Sequence, residues 1–201
     1  MAMAEPLACC IHGIEQAQIQ TGDVVTVIGG GTIGLLMVQL ARLRGAGTVI
    51  LSEPVESRRK IGQQAGADYA VDPLAGDPAA QIRALTGRKG VGLAIECAGR
   101  TFATRQAFDI ADRGARLLLF SVPGADAAFE MPLFDVFHKE LKIYGSFINP
   151  DSHQKAVDLI NAEKIQTAPL ITHRYPLERL EEALHMQMSA QSIKVQITPN
   201  E

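Results

Sequence analysis

A doubly wound α/β fold, one parallel sheet with helices on both faces, is what the sequence predicts, and three observations predict it. Short β-branched runs alternate with amphipathic segments along most of the chain, the rhythm of βαβ units. The first run ends in a glycine-rich turn, Gly29 to Gly34, that opens directly into a helical pattern. The second run ends in a carboxylate, Glu53, about twenty residues beyond the glycines, which is the spacing of a ribose-binding acid.

The elements follow in order. Met3 to about Gln18 has a helical pattern, and Val24 to Ile28 is a β-branched strand. Ile33, Leu36, Met37, Leu40 and Leu43 then recur at helical spacing. Thr48 to Ser52 predicts a strand, Glu56 to Gln64 a helix, Asp68 to Val71 a strand and Asp77 to Leu85 a helix. Val91 to Cys97 predicts a strand, Thr101 to Ala111 a helix and Ala115 to Val122 a strand. Past Pro132 the spacing changes to a short helix at Phe134 to His138, a strand at Leu141 to Phe147, and a helix at Asp151 to Ala162 with Asp151 as N-cap. A strand at Leu170 to Arg174, a helix from Pro176 to about Met188, and a strand at Ile193 to Ile197 complete the chain. Residues 21–150 are expected to form the doubly wound unit, with a linker helix in 1–20 and a separate closing segment in 151–201.

The bulk properties exclude several classes. With 201 residues, 47% of them hydrophobic and 20% charged, the chain has material for a sizeable core. Nineteen Lys and Arg against 22 Asp and Glu give a net charge of −3 without a basic block, so a nucleic-acid partner is not expected. No apolar run is long enough to cross a bilayer, so no membrane partner is expected. The start of the chain lacks the basic and apolar regions of a secretory signal, which makes the cytoplasm the expected location. The three cysteines, Cys9, Cys10 and Cys97, have no C-x-x-C spacing and are expected as free thiols.

Gly29, Gly31 and Gly34 match G-x-G-x-x-G between a predicted strand and a predicted helix. Gly29 permits the tight turn, Gly31 lets a pyrophosphate approach the backbone, and Gly34 lets helix and strand pack closely. The free N–H groups and dipole of the helix start, at Thr32 and Ile33, favour the phosphate charge. This is the Rossmann pattern, and Glu53 points to NAD rather than NADP because a carboxylate accepts from ribose hydroxyls and repels a ribose phosphate. Arg58, one turn into the next helix, either covers the adenine face or pairs with Glu56 or nearby Asp residues. A methyltransferase has a similar turn and acid, but Gly34 and the later loops favour a dinucleotide.

Taken together, these segments resemble the medium-chain dehydrogenase/reductases, in particular the branch of sorbitol, butanediol and threonine dehydrogenases. The resemblance runs through Ala4 to Ala8, Gly29 to Arg42, Ser52 to Pro54 with Arg58 and Arg59, and Gly66 to Asp68. It continues through Ile95 to Gly99, Phe120 to Pro123, Ile143 to Phe147 and Leu170 to His173. It implies that Cys97 and Ala98 close over the adenosine side, while Ser121, Val122, Tyr144 and Ser146 face the nicotinamide. It implies NAD(H) as cofactor, a small alcohol or polyol as substrate, and zinc in the complete enzyme. An alanine-rich turn without Glu53 would instead suit a zinc-independent quinone or enone reductase.

The resemblance also implies a domain bearing catalytic Cys and His ligands that this sequence does not supply. No catalytic residue is therefore expected here, and the chain alone is expected to be catalytically incomplete. A non-catalytic cofactor-binding fragment is the further alternative. Glu5 matches a carboxylate that ligates or flanks zinc in some members, or is simply a charge at a helix start. Glu5, Cys9 and His12 share a helix face, but three ligands along one helix cannot readily surround a tetrahedral ion. An apolar late strand at 141–147 is expected to be an unpaired edge and hence a homo-oligomer contact.

Overall fold

The computed structural model describes residues 2–199. Helix α1 (Ala4–Ala17) leads to β1 (Val24–Ile28), every residue of which is buried because both its faces and both its edges are covered. Val25 and Val27 enter one core with α1 and α2 (Thr32–Leu43), while Val24 and Ile28 enter a second core on the opposite face. Then come β2 (Thr48–Ser52), α3 (Glu56–Gln64), β3 (Tyr69–Val71), α4 (Pro78–Thr86), β4 (Val91–Glu96), α5 (Thr101–Ile110) and β5 (Ala111–Leu119). The chain continues through α6 (Leu133–His138), β6 (Lys142–Gly145), α7 (His153–Asn161), β7 (Ile171–Pro176), α8 (Leu180–Met188) and β8 (Lys194–Thr198).

The six strands β1 to β6 form one parallel sheet in the order β3-β2-β1-β4-β5-β6. The order reverses between β1 and β4, so a crevice opens beyond their carboxyl ends. β7 and β8 make a separate two-stranded parallel sheet joined through α8. Its segment is fastened to the main body by Gln39, whose amide donates to the Gln166 carbonyl at 3.1 Å and accepts from the Gln166 N–H at 2.7 Å. At the other end of the sheet, Arg116 of β5 donates to the carbonyls of Ala17 and Gln18 and pairs with Asp23, tying the end of α1 to the start of β1.

Several elements differ from the sequence expectation. Asp151 does not cap α7: it lies at φ 54° and Ser152 is the N-cap, whose hydroxyl donates to the Ala8 carbonyl at 2.8 Å, so contact with α1 overrides local capping. Pro176 ends β7 rather than opening a helix; a 3₁₀ turn, Leu177–Arg179, intervenes before α8. The expected strands 115–122 and 141–147 stop at Leu119 and Gly145, which leaves Ser121, Val122 and Ser146 in loops at the crevice.

Thr26 is fully buried on β1 and its hydroxyl has no hydrogen-bond partner. Alternation along the strand turns it toward the apolar core that holds Val24 and Ile28. Thr26→Val keeps the shape and removes the orphaned group, so it is expected to stabilise the fold by about 1 kcal/mol. A higher urea midpoint with unchanged slope checks this; an unchanged or lower midpoint contradicts it.

Candidate functional site

The glycine turn follows from steric necessity. A Cβ on Gly34 would lie 1.8 Å from the Gly29 carbonyl oxygen, so only glycine lets α2 start this close to β1. Gly29 takes φ 103° and donates its N–H to the Ser52 carbonyl at 2.8 Å. Around the Cβ position of Gly31, by contrast, there is no atom within 4 Å. Gly31 is the N-cap of α2 with no side-chain cap bond, so the first helical N–H groups face that open space. The arrangement fits a pyrophosphate: room at Gly31 and uncapped donors behind it.

Gly30, the unspecified position of the motif, has its own reason to be glycine. Its N–H donates to Glu53 Oε2 at 2.6 Å, and a Cβ there would sit 2.8 Å from the Glu53 side chain. Glu53 Oε1 accepts from the Val55 N–H at 2.8 Å, and the residue is only 3% exposed. The carboxylate is thus held rigidly beside the turn, and each oxygen keeps acceptor capacity. Neither neighbouring arginine pairs with this carboxylate. Arg59 binds the backbone carbonyls of Glu53 and Pro54 and the carboxylate of Asp72. Arg58 reaches the Ser192 carbonyl at 2.6 Å, instead of Glu56 as sequence proximity allowed. Thr32 also reaches the closing segment, donating its hydroxyl to the Ile193 carbonyl at 2.7 Å. These partners lie more than 130 residues away, so no local signal could have announced them.

Across the crevice, a cleft of about 460 Å³ is lined by Ile33, Cys97, Ala98, Ser121, Val122 and Ser146, with Glu5 at its rim. These six were singled out from sequence, and the fold brings them to one place. Tyr144 is different: it is half-buried on β6, packed against the core, and does not line the cleft. The wall is organised by Glu96, at the end of β4 and 2% exposed, which sequence reading did not single out. Its Oε1 accepts the N–H groups of Ala98 and Gly99 at 2.7 and 2.8 Å, and its Oε2 accepts the Ser121 hydroxyl. A larger groove of about 580 Å³, between α1, α2 and α7, lies away from the turn and against Ile11, Leu40 and Leu159.

Glu5 accepts from the Cys9 thiol at 3.3 Å and from the Asn149 amide at 3.4 Å. Burial, and then the Glu5 carboxylate, push the Cys9 thiol up to about 11. Burial and the charge of Glu96 likewise raise Cys97. Both thiols are protonated at neutral pH and are poor nucleophiles or metal ligands in that form. Among the described residues no three His, Cys, Asp or Glu side chains come together to hold a metal ion. The described residues thus do not make a zinc site by themselves, and Glu5 alone cannot.

Residues 32–162 match the family model described as zinc-binding dehydrogenase. The chain is 35% identical to a sorbitol dehydrogenase of Halalkalibacterium halodurans, covering 98% of this chain and 58% of that enzyme. It is 32% identical to an L-threonine 3-dehydrogenase of Bacillus subtilis, covering 98% and 57%. Among solved structures, a protein of Sinorhizobium meliloti assigned as a zinc-binding dehydrogenase and bound to NADP superimposes with TM-score 0.92 at 38% identity, covering 98% of this chain and 58% of that one. The 2R,3R-butanediol dehydrogenase of Bacillus subtilis superimposes with TM-score 0.89 at 26% identity, covering 99% and 57%. The chain therefore spans little more than half the length of the relatives it matches.

Proposed function

Since the chain belongs to the zinc-binding dehydrogenase family, we propose that it is the nicotinamide-dinucleotide-binding part of a dehydrogenase that oxidises a small secondary alcohol or polyol. The observation that carries this reading is the open space at Gly31 before the uncapped start of α2, facing a cleft lined by the loops after β4 and β5. Residues 21–150 form the cofactor-binding unit, flanked by 1–20 and 151–201. The dinucleotide would supply the hydride acceptor. Gly29 to Gly34 would seat its pyrophosphate, Glu53 its adenosine ribose, Cys97 to Gly99 would close over its adenosine side, and the loops at Ser121 to Pro123 and at Ser146 would face its nicotinamide end. Zinc, which the described residues alone do not hold, would take its other ligands from outside them, with Glu5 ligating or flanking it. The cytoplasm is the location we favour, in keeping with cysteines that are all unpaired; no helix among the described residues is long and apolar enough to cross a membrane.

We favour NAD over NADP, although the Sinorhizobium meliloti relative was solved with NADP. A ribose 2′-phosphate would meet the Glu53 carboxylate where little water screens it. The two arginines that could offset that repulsion are engaged elsewhere, Arg58 with Ser192 and Arg59 with Asp72. Fluorescence titration is expected to favour NADH over NADPH by at least about tenfold, and Glu53→Ser to erase most of the ratio. Equal affinities in the wild type would contradict the assignment. So would an unchanged ratio in the variant.

We also propose that two copies associate across β6, the edge of the main sheet. The adjoining α6 turns Val136 to the core and leaves Leu133, Phe134 and Phe137 more than 70% exposed. An unpaired edge beside such a surface favours a second chain. Sedimentation at micromolar concentration is expected to give a dimer, and Phe134→Glu with Phe137→Glu a monomer. A wild-type monomer would rule this interface out.

A further inference from the structure

Glu96, buried at the end of β4, and Ser121, half-buried on the cleft wall, are joined by a side-chain hydrogen bond in which the serine hydroxyl is the donor. Both Glu96 oxygens accept hydrogen bonds: Oε1 from the backbone of Ala98 and Gly99, Oε2 from the Ser121 hydroxyl. The backbone carbonyl of the same residue accepts the N–H groups of Phe120 and Ser121 at 3.1 and 3.2 Å. One residue therefore links the loop after β4 to the loop after β5, and a Cβ on Gly99 would stand 3.6 Å from Ser121. The consequence concerns hydrogen-bond polarity. A serine hydroxyl has one proton and two lone pairs. With the proton committed to Glu96, Ser121 presents only lone pairs to the cleft.

We infer that Glu96 presets Ser121 as an acceptor and thereby selects a ligand that donates a hydrogen bond at that wall. This deepens the proposed function and rests on it: on a nicotinamide dinucleotide, the donor is the carboxamide NH₂. Glu96 is a positioning residue in this account and Ser121 the residue that touches the ligand. Replacing the carboxylate by an amide keeps the shape and reverses the polarity. In Glu96→Gln the amide oxygen still accepts from Ala98 and Gly99, while the amide nitrogen donates to Ser121. That frees the serine proton to point into the cleft, where a carbonyl serves it as well as an N–H did.

The test compares NAD with 3-acetylpyridine adenine dinucleotide, which carries a methyl ketone in place of the carboxamide and cannot donate. ADP-ribose, which lacks the ring, is the control for the rest of the site. Calorimetric titration of the full chain is expected to favour NAD over the acetyl analogue by about fivefold, the size of one lost hydrogen bond. Glu96→Gln and Ser121→Ala are each expected to bring that ratio to within about twofold, with ADP-ribose affinity unchanged. A purely structural role for Glu96 would weaken all three ligands together and leave the ratio intact. An unchanged ratio in Ser121→Ala, which removes only the hydroxyl, would overturn the inference even if the Glu96 variant did not fold. Failure of the wild-type chain to bind NAD or ADP-ribose would instead overturn the proposed function and this inference with it.

Discussion

Arg116→Leu is expected to lower the stability of the chain by about 3 kcal/mol, the lower end of the cost of breaking one half of a buried pair. The Arg116 side chain is 11% exposed and that of its partner Asp23 17%. Its guanidinium serves three acceptors at once, the Asp23 carboxylate and the carbonyls of Ala17 and Gln18 at the end of α1. Leucine fills the space but leaves Asp23 only the Gln20 N–H and leaves both carbonyls without this donor. The loss falls where α1 meets the sheet, so α1 and the core it shares with α2 should loosen first. For a chain of this size the change corresponds to a fall of roughly 6 to 12 °C in melting temperature. Arg116→Lys should recover only part of it, because one ammonium lacks the planar fork that spans these acceptors. Thermal unfolding followed by circular dichroism measures both variants. A shift below about 2 °C for Arg116→Leu would show that this junction contributes little.

The legibility of the fold differed by region for physical reasons. The strands β1 and β2 were plain because they are buried on both faces and so are written as β-branched and apolar runs, and β4 was plain as a short apolar run ending in Glu96. The later boundaries were harder because tertiary contacts override local signals there. Ser152 bonds to α1 where Asp151 looked like the cap, and Pro176 closes a strand where it looked like a helix start. The site divides in the same way. Gly29, Gly31, Gly34 and Glu53 were legible because a motif with fixed spacing carries its own geometry. Gly30 and Glu96 were not, because their reasons are contacts: the seat of the Glu53 side chain in one case and three donors from two loops in the other. Arg58 was placed on the right helix, but its guanidinium is drawn to Ser192, a partner that only the closing segment provides.

Whether the glycine turn is a pyrophosphate seat is decided at Gly31. Its φ of −74° suits any residue, and a Cβ there meets no atom within 4 Å. Gly31→Ala should therefore fold normally, with less than about 1 kcal/mol lost at the helix cap. In the complex the same methyl would occupy the space where a phosphate oxygen meets the N–H groups of α2, weakening charge-assisted hydrogen bonds. The measurement is NADH titration of the wild type and Gly31→Ala, with melting temperature recorded for each. The expected result is wild-type binding, a variant weaker by on the order of a hundredfold, roughly 2.8 kcal/mol, and nearly equal melting temperatures. A stable Gly31→Ala chain that binds NADH as well as the wild type would contradict the account.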